Sequence, residues 1–432
     1  MSAKRRIAQA LGRFNALHPA DIDLGLDRIR ALLKRLDDPH LRLPPIVHVA
    51  GTNGKGSSLA MLGAMAEAAN LRAHIHTSPH LITINERYVI AGKPISDTAL
   101  ADLLEEVEAV NDGAAITQFE LLTAATFLAF ARTPADVALI EVGLGGEFDA
   151  SNVLENPALC LITPIAHDHA DYLGDAMDGI ARAKAGIIKP GAPVYSAHQN
   201  DIARDVIEGT AGRARAPLRI VGEDIQVRCE DGRLIYEDDH QLLDLPLPRL
   251  VGEHQVENAG LAIAAALHLG WDHDAIARGL EAVHWPGRMQ TLSRGPLAAM
   301  AHAKGAQIIV DGAHNPHAAR ALADTLIDLQ RRDPRPLVLI IGLQNTKDAL
   351  RFFEAFAALA PKAVTCVPVP DAPHPMNVDD MQNVAKAAGL RASTAPDFGS
   401  ALQSTLRIEK EPRIIMSGSL YLVGAILAQN GV

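Results

Sequence analysis

The sequence predicts an α/β protein. A P-loop-containing, mostly parallel sheet domain comes first and a smaller Rossmann-like α/β domain follows. Three observations predict this. Short apolar runs alternate with helical periodicity almost throughout, the signature of parallel βαβ units. One run, Ile46-Val-His-Val-Ala50, leads directly into Gly51-Thr-Asn-Gly-Lys-Gly-Ser57 and then into a helix-like stretch. A break rich in proline and glycine, Trp285-Pro-Gly-Arg-Met-Gln-Thr-Leu-Ser-Arg-Gly-Pro296, interrupts the rhythm before it resumes.

In the first half, strands are expected at 45–50, 72–77, 137–142, 158–163 and 192–196. Their continuous apolar character suits a sheet covered on both faces. Helical spacing predicts helices near 57–70, where Leu59, Met61, Leu62, Met65 and Ala69 recur, and near 97–110, 118–132 and 175–186. Residues 218–238 read as two short strands about the turn Glu230-Asp231-Gly232. Helical periodicity returns at 253–269 and 273–283. Beyond the break, strands are expected near 307–311, 336–342, 363–368 and 413–416, with helices near 316–330, 347–360, 377–388, 398–406 and 419–429. The expected domains are 1–288 and 289–432.

Composition narrows the class. A chain of 432 residues holds two or three domains. The formal net charge is −11 and no long basic block occurs, so no nucleic-acid partner is expected. The three cysteines, Cys160, Cys229 and Cys366, lie far apart, as expected of thiols in a reducing compartment. No apolar run reaches membrane-span length, so no membrane partner is expected. The basic start, Met1-Ser-Ala-Lys-Arg-Arg, is not followed by a secretory apolar segment and reads as a solvated helix. A cytoplasmic monomer acting on small molecules is the expectation.

The loop 51–57 carries the strongest chemical signal. Backbone N–H groups in such a loop and at the following helix start face an anion. Lys55 adds a point charge, and a hydroxyl at Ser57 or Ser58 can reach a nucleotide-bound metal. The common P-loop pattern is not met in full, because Val49 and Gly56 stand where it wants glycine and Ser or Thr. Ligands of open parallel sheets bind at the carboxyl ends of strands. Three such ends carry Ser78 (in Thr77-Ser-Pro-His80), Glu141, and His169 (in His167-Asp-His169). A hydroxyl, a carboxylate and an imidazole beside a phosphate cradle suit Mg²⁺. Each also has a plain reading: a turn serine before proline, an ion-paired glutamate, a loop histidine. His167-Asp-His-Ala-Asp171 resembles part of a zinc motif, but Tyr172 stands where that motif needs another histidine. Lys184, on a short helix, reads by pattern alone as a solvated cation. Asp311-Gly-Ala-His-Asn-Pro316 sits at another strand end, where an N-cap and turn is the alternative reading. Arg288 in the break and Asn258 early in an Ala-rich helix complete the candidates.

Ten islands in order make the chain similar to the folylpolyglutamate synthase/dihydrofolate synthase branch of the Mur-ligase-like amide ligases. They are Asp23-Leu-Gly-Leu-Asp-Arg28, Ala50–Ser57, Ser78-Pro-His-Leu81, Phe119-Glu120, Glu141–Gly146, Asp149-Ala-Ser-Asn152, Asp168-His169, Lys184-Ala-Gly-Ile187, Pro286-Gly-Arg288 and Asp311–Pro316. The resemblance implies a Mur-ligase central-domain-like first domain and a glutamate-ligase second domain. It implies that Gly51, Thr52, Asn53, Gly54, Lys55, Gly56 and Ser57 hold ATP, joined by Asn258, Arg288 and Asp311. Ser78, Glu141 and His169 would hold Mg²⁺, with two ions expected. Lys184 would be carbamylated, and Lys55, Lys184 and His314 would serve catalysis. Asp23, Leu24, Phe119, Glu120, Phe148 and Asp149 would line the pterin-substrate site. The implied reaction activates a substrate carboxylate as an acyl phosphate, which the amine of L-glutamate then attacks. Glu147 departs from the family, which often carries arginine there, and His167 replaces a commonly apolar residue.

Two other readings compete. A Mur-type ligase acting on a UDP-muramyl precursor usually carries a separate domain before the phosphate loop, whereas only 50 residues precede Gly51. A nucleotide-binding regulatory module would not need Ser78, Glu141, His169 and Lys184 together.

Overall fold

A computed structural model describes residues 1–18, 23–168, 170–345 and 348–431. The chain forms two compact units, Met1–Arg249 with Gln255–His284, and Leu250–His254 with Trp285–Val432. The second unit therefore takes in Pro286-Gly-Arg288, which the sequence reading placed at the end of the first.

The first unit is built on an eight-stranded sheet. Its strands are β1 (Ile46–Ala50), β2 (Ala73–His76), β3 (Val89–Ile90), β4 (Lys93–Pro94), β5 (Val137–Glu141), β6 (Leu159–Ile162), β7 (Val194–Ser196) and β8 (Leu218–Ile220). They lie in the order β4-β3-β2-β5-β1-β6-β7-β8. All neighbours pair in parallel except β3 with β2 and β4 with β3. Every residue of β1 and β5 is buried, as a sheet covered on both faces requires. The helices are α1 (Ala3–Asn15), α2 (Asp27–Arg35), α3 (Lys55–Ala68), α4 (Asp97–Asn111), α5 (Gln118–Arg132), α6 (Ala170–Leu173), α7 (Met177–Ala185), α8 (Asp201–Ala214), α9 (Glu253–His268) and α10 (His273–Ala282). α5 is buried continuously from Glu120 to Phe130, so it is a core helix rather than an amphipathic one.

Three details differ from expectation. The basic N-terminus is a packed helix, because α1 buries Ile7, Ala10 and Phe14. The predicted hairpin exists as β9 (Gln226–Glu230) and β10 (Arg233–Glu237), but β11 (Leu242–Pro246) adds a third antiparallel strand. The glycine- and proline-rich break is no free linker. Its Gln290–Thr291 is β12, an antiparallel edge strand whose Gln290 faces Val310.

The second unit carries a six-stranded sheet completed by β13 (Gln307–Val310), β14 (Leu337–Ile341), β15 (Ala363–Cys366), β16 (Ala392–Thr394) and β17 (Arg413–Ser417), in the order β12-β13-β17-β14-β15-β16. Helices α11 (Pro296–His302), α12 (Pro316–Arg332), α13 (Ala349–Glu354), α14 (Val378–Ala387), α15 (Phe398–Ile408) and α16 (Leu420–Gln429) accompany it. The expected helix 347–360 is α13 followed by a 3₁₀ turn at Ala357–Leu359. Among the described residues, no helix is long and apolar enough to cross a membrane.

Candidate active site

Strand order explains the site. β5 lies between β2 and β1, so the residue ending β5 stands between the segments that follow β2 and β1. That residue is Glu141, buried at 5% exposure. Its Oε2 accepts the Ser78 backbone N–H at 3.1 Å, and Lys55 Nζ lies 3.8 Å from its Oε1. Lys55 also donates to the carbonyls of Gly51 and Thr52, at 3.2 Å each. Gly51 O accepts a further bond from Lys184 Nζ at 3.0 Å. Phosphate loop, Ser78, Glu141 and Lys184 thus meet at one sheet edge.

The loop is more rigid than its glycines suggest. The Thr52 and Asn53 N–H groups both donate to Pro164 O, at 3.0 and 3.3 Å, and Thr52 Oγ1 donates to Ala166 O at 3.0 Å. These two N–H groups brace the loop against the segment after β6. The first-turn N–H groups of α3, from Lys55 through Ser57, are those that helix geometry leaves for an anion. Gly54 must be glycine for two reasons. Its φ is +90°, and an added Cβ would lie 2.3 Å from Asn258 Oδ1. Asn258 is buried on α9, where its amide donates to Gln255 Oε1 at 3.1 Å. The structure therefore places Asn258 against the phosphate loop. Ser57 is buried at the start of α3, and the following Ser58 Oγ reaches Asn258 O at 3.5 Å.

Lys184 is almost fully buried, and its pKa is pushed down to about 7. Loss of solvent is the main cause. Lys55 acts in the same direction, while Asp168 and Asp149 oppose it. Hence the solvated-cation reading fails. Lys184 is a buried amine that reaches neutrality near physiological pH.

Ser78 Oγ is buried without a partner, an orphan hydroxyl beside a carboxylate that already orients its backbone. An oxygen-seeking divalent cation fits that pair. His169 lies outside the described residues. Among those described, no group of three or more His, Cys, Asp and Glu side chains is placed to hold a metal ion.

Among the residues expected at the substrate site, Arg28 donates to Asp23 Oδ2 at 2.8 Å and to Glu120 Oε2 at 3.0 Å, an organising cation that sequence reasoning left unassigned. Glu120 is buried, caps α5 through Thr117, and keeps Oε1 unpartnered. The ring of Phe119 packs on Gly143 so closely that a Cβ there would lie 2.3 Å from it. A groove of about 190 Å³ is lined by Leu24, Leu144, Phe148, Tyr172, Arg182 and Ala183 among others, with Glu147 at its wall. Leu24, Phe148 and Tyr172, which line one groove, are 36%, 50% and 44% exposed. Asp149 is buried, and its carboxylate accepts the N–H groups of Gly143 and Leu144 at 3.0 and 2.9 Å. Its own bonds are therefore spent on the loop that forms the groove wall.

Within the second unit, Asp311 accepts the Met289 and Ala313 N–H groups, both at 2.8 Å. Arg288 lies against Gly312, where a Cβ would stand 2.3 Å from its Nη1. His314 Nδ1 is 2.8 Å from Gly312 O, and Asn315 caps α12 through the Ala318 N–H. Arg288, just before β12, thus lies against the loop after β13 that carries Asp311 and His314.

Comparison with known proteins agrees with this architecture. Residues 49–266 match the Mur ligase middle domain, and residues 287–420 match the Mur ligase glutamate ligase domain. The two matches in tandem define a Mur ligase, and the chain belongs to that family. A folylpolyglutamate synthase from Lacticaseibacillus casei is 32% identical over 418 residues, covering 92% of each chain. A probable bifunctional folylpolyglutamate synthase/dihydropteroate synthase from Halobacterium salinarum is 33% identical over 416 residues, and the chain spans about half (48%) of its length. The structure of E. coli FolC with DHPP and ADP superposes with a TM-score of 0.87 at 28% identity, covering 98% of this chain and 97% of that one. Within the Mur ligases, the chain falls in the folylpolyglutamate synthase/dihydrofolate synthase branch.

Proposed function

We propose that the chain is an ATP-dependent ligase that adds L-glutamate to dihydropteroate and to reduced folates. The observation that carries this reading is the meeting of Lys55 and Lys184 at Gly51 O, with Glu141 joining Lys55 to Ser78, and a groove lined by Ala183 next to Lys184. The first-turn N–H groups of α3 and Lys55 bind and orient the γ-phosphate, placing positive charge where phosphoryl oxygens gain negative charge. The acceptor's aromatic body lies in the groove, and its carboxylate oxygen attacks the γ-phosphorus. The bond to ADP breaks and an acyl phosphate forms. The amine of glutamate then attacks the acyl carbon, loses a proton, and expels phosphate. Ser78 and Glu141, with His169 as the expected third ligand, would hold Mg²⁺, which when bound supplies charge neutralisation at the phosphates. Lys184, whose lowered pKa of about 7 makes the neutral amine available near neutrality, adds to CO₂ and releases a proton, giving a carbamate that counters the charge of Lys55. Asn258, Arg288 and Asp311 bind the nucleotide, His314 assists, and the second unit, from 289 in the sequence-based division, supplies the glutamate surface. The enzyme works in the cytoplasm as a monomer.

A UDP-muramyl acceptor is disfavoured, since the relative matched over 92% of both chains is a folylpolyglutamate synthase. In a coupled assay, ADP is expected only when ATP, Mg²⁺, glutamate and a pteroate or folate acceptor are all present. Equal ADP release without acceptor, or turnover of a UDP-muramyl acceptor, would overturn the proposal.

A further inference from the structure

Behind the groove lies a buried polar chain that the ligation mechanism does not use. Asp149 Oδ1 accepts the Ser151 backbone N–H at 2.9 Å and the Ser151 hydroxyl at 2.5 Å. Because that hydroxyl donates to Asp149, its lone pair is left to accept from His48 Nε2, 2.9 Å away. The imidazole therefore carries its proton on Nε2, and Nδ1 is a bare acceptor. His48 and Ser151 have no exposed surface at all, and His48 Nδ1 has no partner. Burial pushes the His48 pKa down to about 3, so the ring is neutral in any working buffer. An apolar side chain of similar size at this position in β1 would remove the unpartnered Nδ1, but it would also take away the donor to the buried Ser151 hydroxyl. The contribution of the histidine consequently lies at its other nitrogen, toward Ser151.

The far end of the chain is the groove. Asp149 spends its second oxygen on the N–H groups of Gly143 and Leu144. Those residues open the Gly143–Phe148 stretch, from which Leu144, Glu147 and Phe148 line the groove. His48 stands on β1, three residues before Gly51. One hydrogen-bonded chain thus runs from the strand that feeds the phosphate loop to the wall of the proposed acceptor groove.

We infer that His48 and Ser151 are positioning residues for acceptor recognition, holding the Asp149 carboxylate in the orientation that shapes the Gly143–Phe148 wall. This rests on the reading of the groove as the acceptor site. His48 orients Ser151, Ser151 orients Asp149, and Asp149 fixes the loop. A flexible loop would bind the aromatic acceptor more weakly, because the ordering cost falls on binding. The nucleotide side, braced separately by Pro164 and Ala166, is not affected.

The test is steady-state kinetics on Ser151→Ala, His48→Leu and His48→Gln, with Phe148→Ala as the groove control. Glutamine carries an amide N–H close to where Nε2–H stands. Ser151→Ala and His48→Leu are expected to raise the KM for dihydropteroate about ten-fold while kcat and the KM for ATP stay within about two-fold, and His48→Gln to recover most of the loss. Phe148→Ala should also raise the acceptor KM. A wild-type acceptor KM in Ser151→Ala, alongside a raised one in Phe148→Ala, overturns the positioning role and leaves the groove standing. Equal shifts in both KM values overturn it too, since they mark general loosening. An unchanged acceptor KM in Phe148→Ala removes the groove reading and the inference with it. Should His48→Leu fail to fold, Ser151→Ala carries the test, because it deletes one hydroxyl.

Discussion

At the residue scale, Lys184 is the most telling side chain. Two lysines share the carbonyl of Gly51, and one of them is nearly sealed from water. Burial and the nearby ammonium of Lys55 both disfavour a second positive charge, so Lys184 falls to about 7. The sign follows directly. Between about pH 7 and 10 the unfolded chain holds this proton and the folded chain does not, so the contribution of Lys184 to stability improves as pH rises through that window. The neutral amine is also the form that captures CO₂. Enzyme stripped of bicarbonate should lose activity and regain it on adding bicarbonate, faster above pH 7 than below. Carbon-13 NMR with labelled bicarbonate should show a carbamate signal that Lys184→Ala lacks. Absence of that signal in active wild-type enzyme would refute the carbamate. The site was unevenly legible in the sequence. Lys55 was readable because strand, glycines, lysine and helix are contiguous. The placement of Ser78 and Glu141 was readable because one follows an apolar strand and the other ends one. The burial of Lys184 was not, since its partner Gly51 lies 133 residues away and only the fold brings them together.

At the element scale, the same distinction separates α3 from α1. The strand–loop–helix signal of β1 and α3 is local and survived intact. In α1 the basic residues mask an apolar pattern, since Ile7, Ala10 and Phe14 share one helical face and are buried. The strand β12 was hidden in a proline- and glycine-rich stretch, because an edge strand of two residues needs only one partner and no pattern of its own. The question for α1 is which force docks it. Arg6 and Arg13 pair with Glu105 and Glu108 across to α4, at the partly exposed rim. Phe14 is fully buried. Exposed ion pairs contribute little once screening and side-chain entropy are counted. Phe14→Ala should cost ~3–5 kcal/mol, the usual range for deleting a buried aromatic ring. Arg13→Ala should shift the melting midpoint far less. Chemical denaturation of the two variants decides the matter, and comparable losses would mean that the ion pairs, not the apolar face, hold α1 in place.

At the scale of the whole molecule, each unit has a core of its own. The first unit buries Phe14, Phe127 and Phe130 in one cluster and Ile162, Ile180 and Ile207 in another, while the second buries Leu339, Phe352 and Phe356. The alternation of strand and helix made two α/β domains legible. The return of Leu250–His254 to the second unit was not legible, because membership of a core is decided by tertiary contact. Separate cores predict two calorimetric transitions rather than one. A ligand that binds only folded protein raises the transition of the unit that holds it. At one hundred times its Kd the gain is ~2.7 kcal/mol. For a unit of this size that moves the midpoint by about 5 °C. A non-hydrolysable ATP analogue with Mg²⁺ should therefore raise the transition of the unit that carries Gly51–Ser57. Lys55 is the control. Its side chain is only 16% exposed and tied to Gly51 and Thr52, so removing its charge alters the phosphate site while sparing the core. In Lys55→Ala the unliganded midpoint should stay near the wild-type value, while the analogue-induced shift should largely vanish. An equal shift in variant and wild type would mean that the nucleotide binds elsewhere, and that Gly51–Ser57 is an ordinary βα turn with a lysine at its rim.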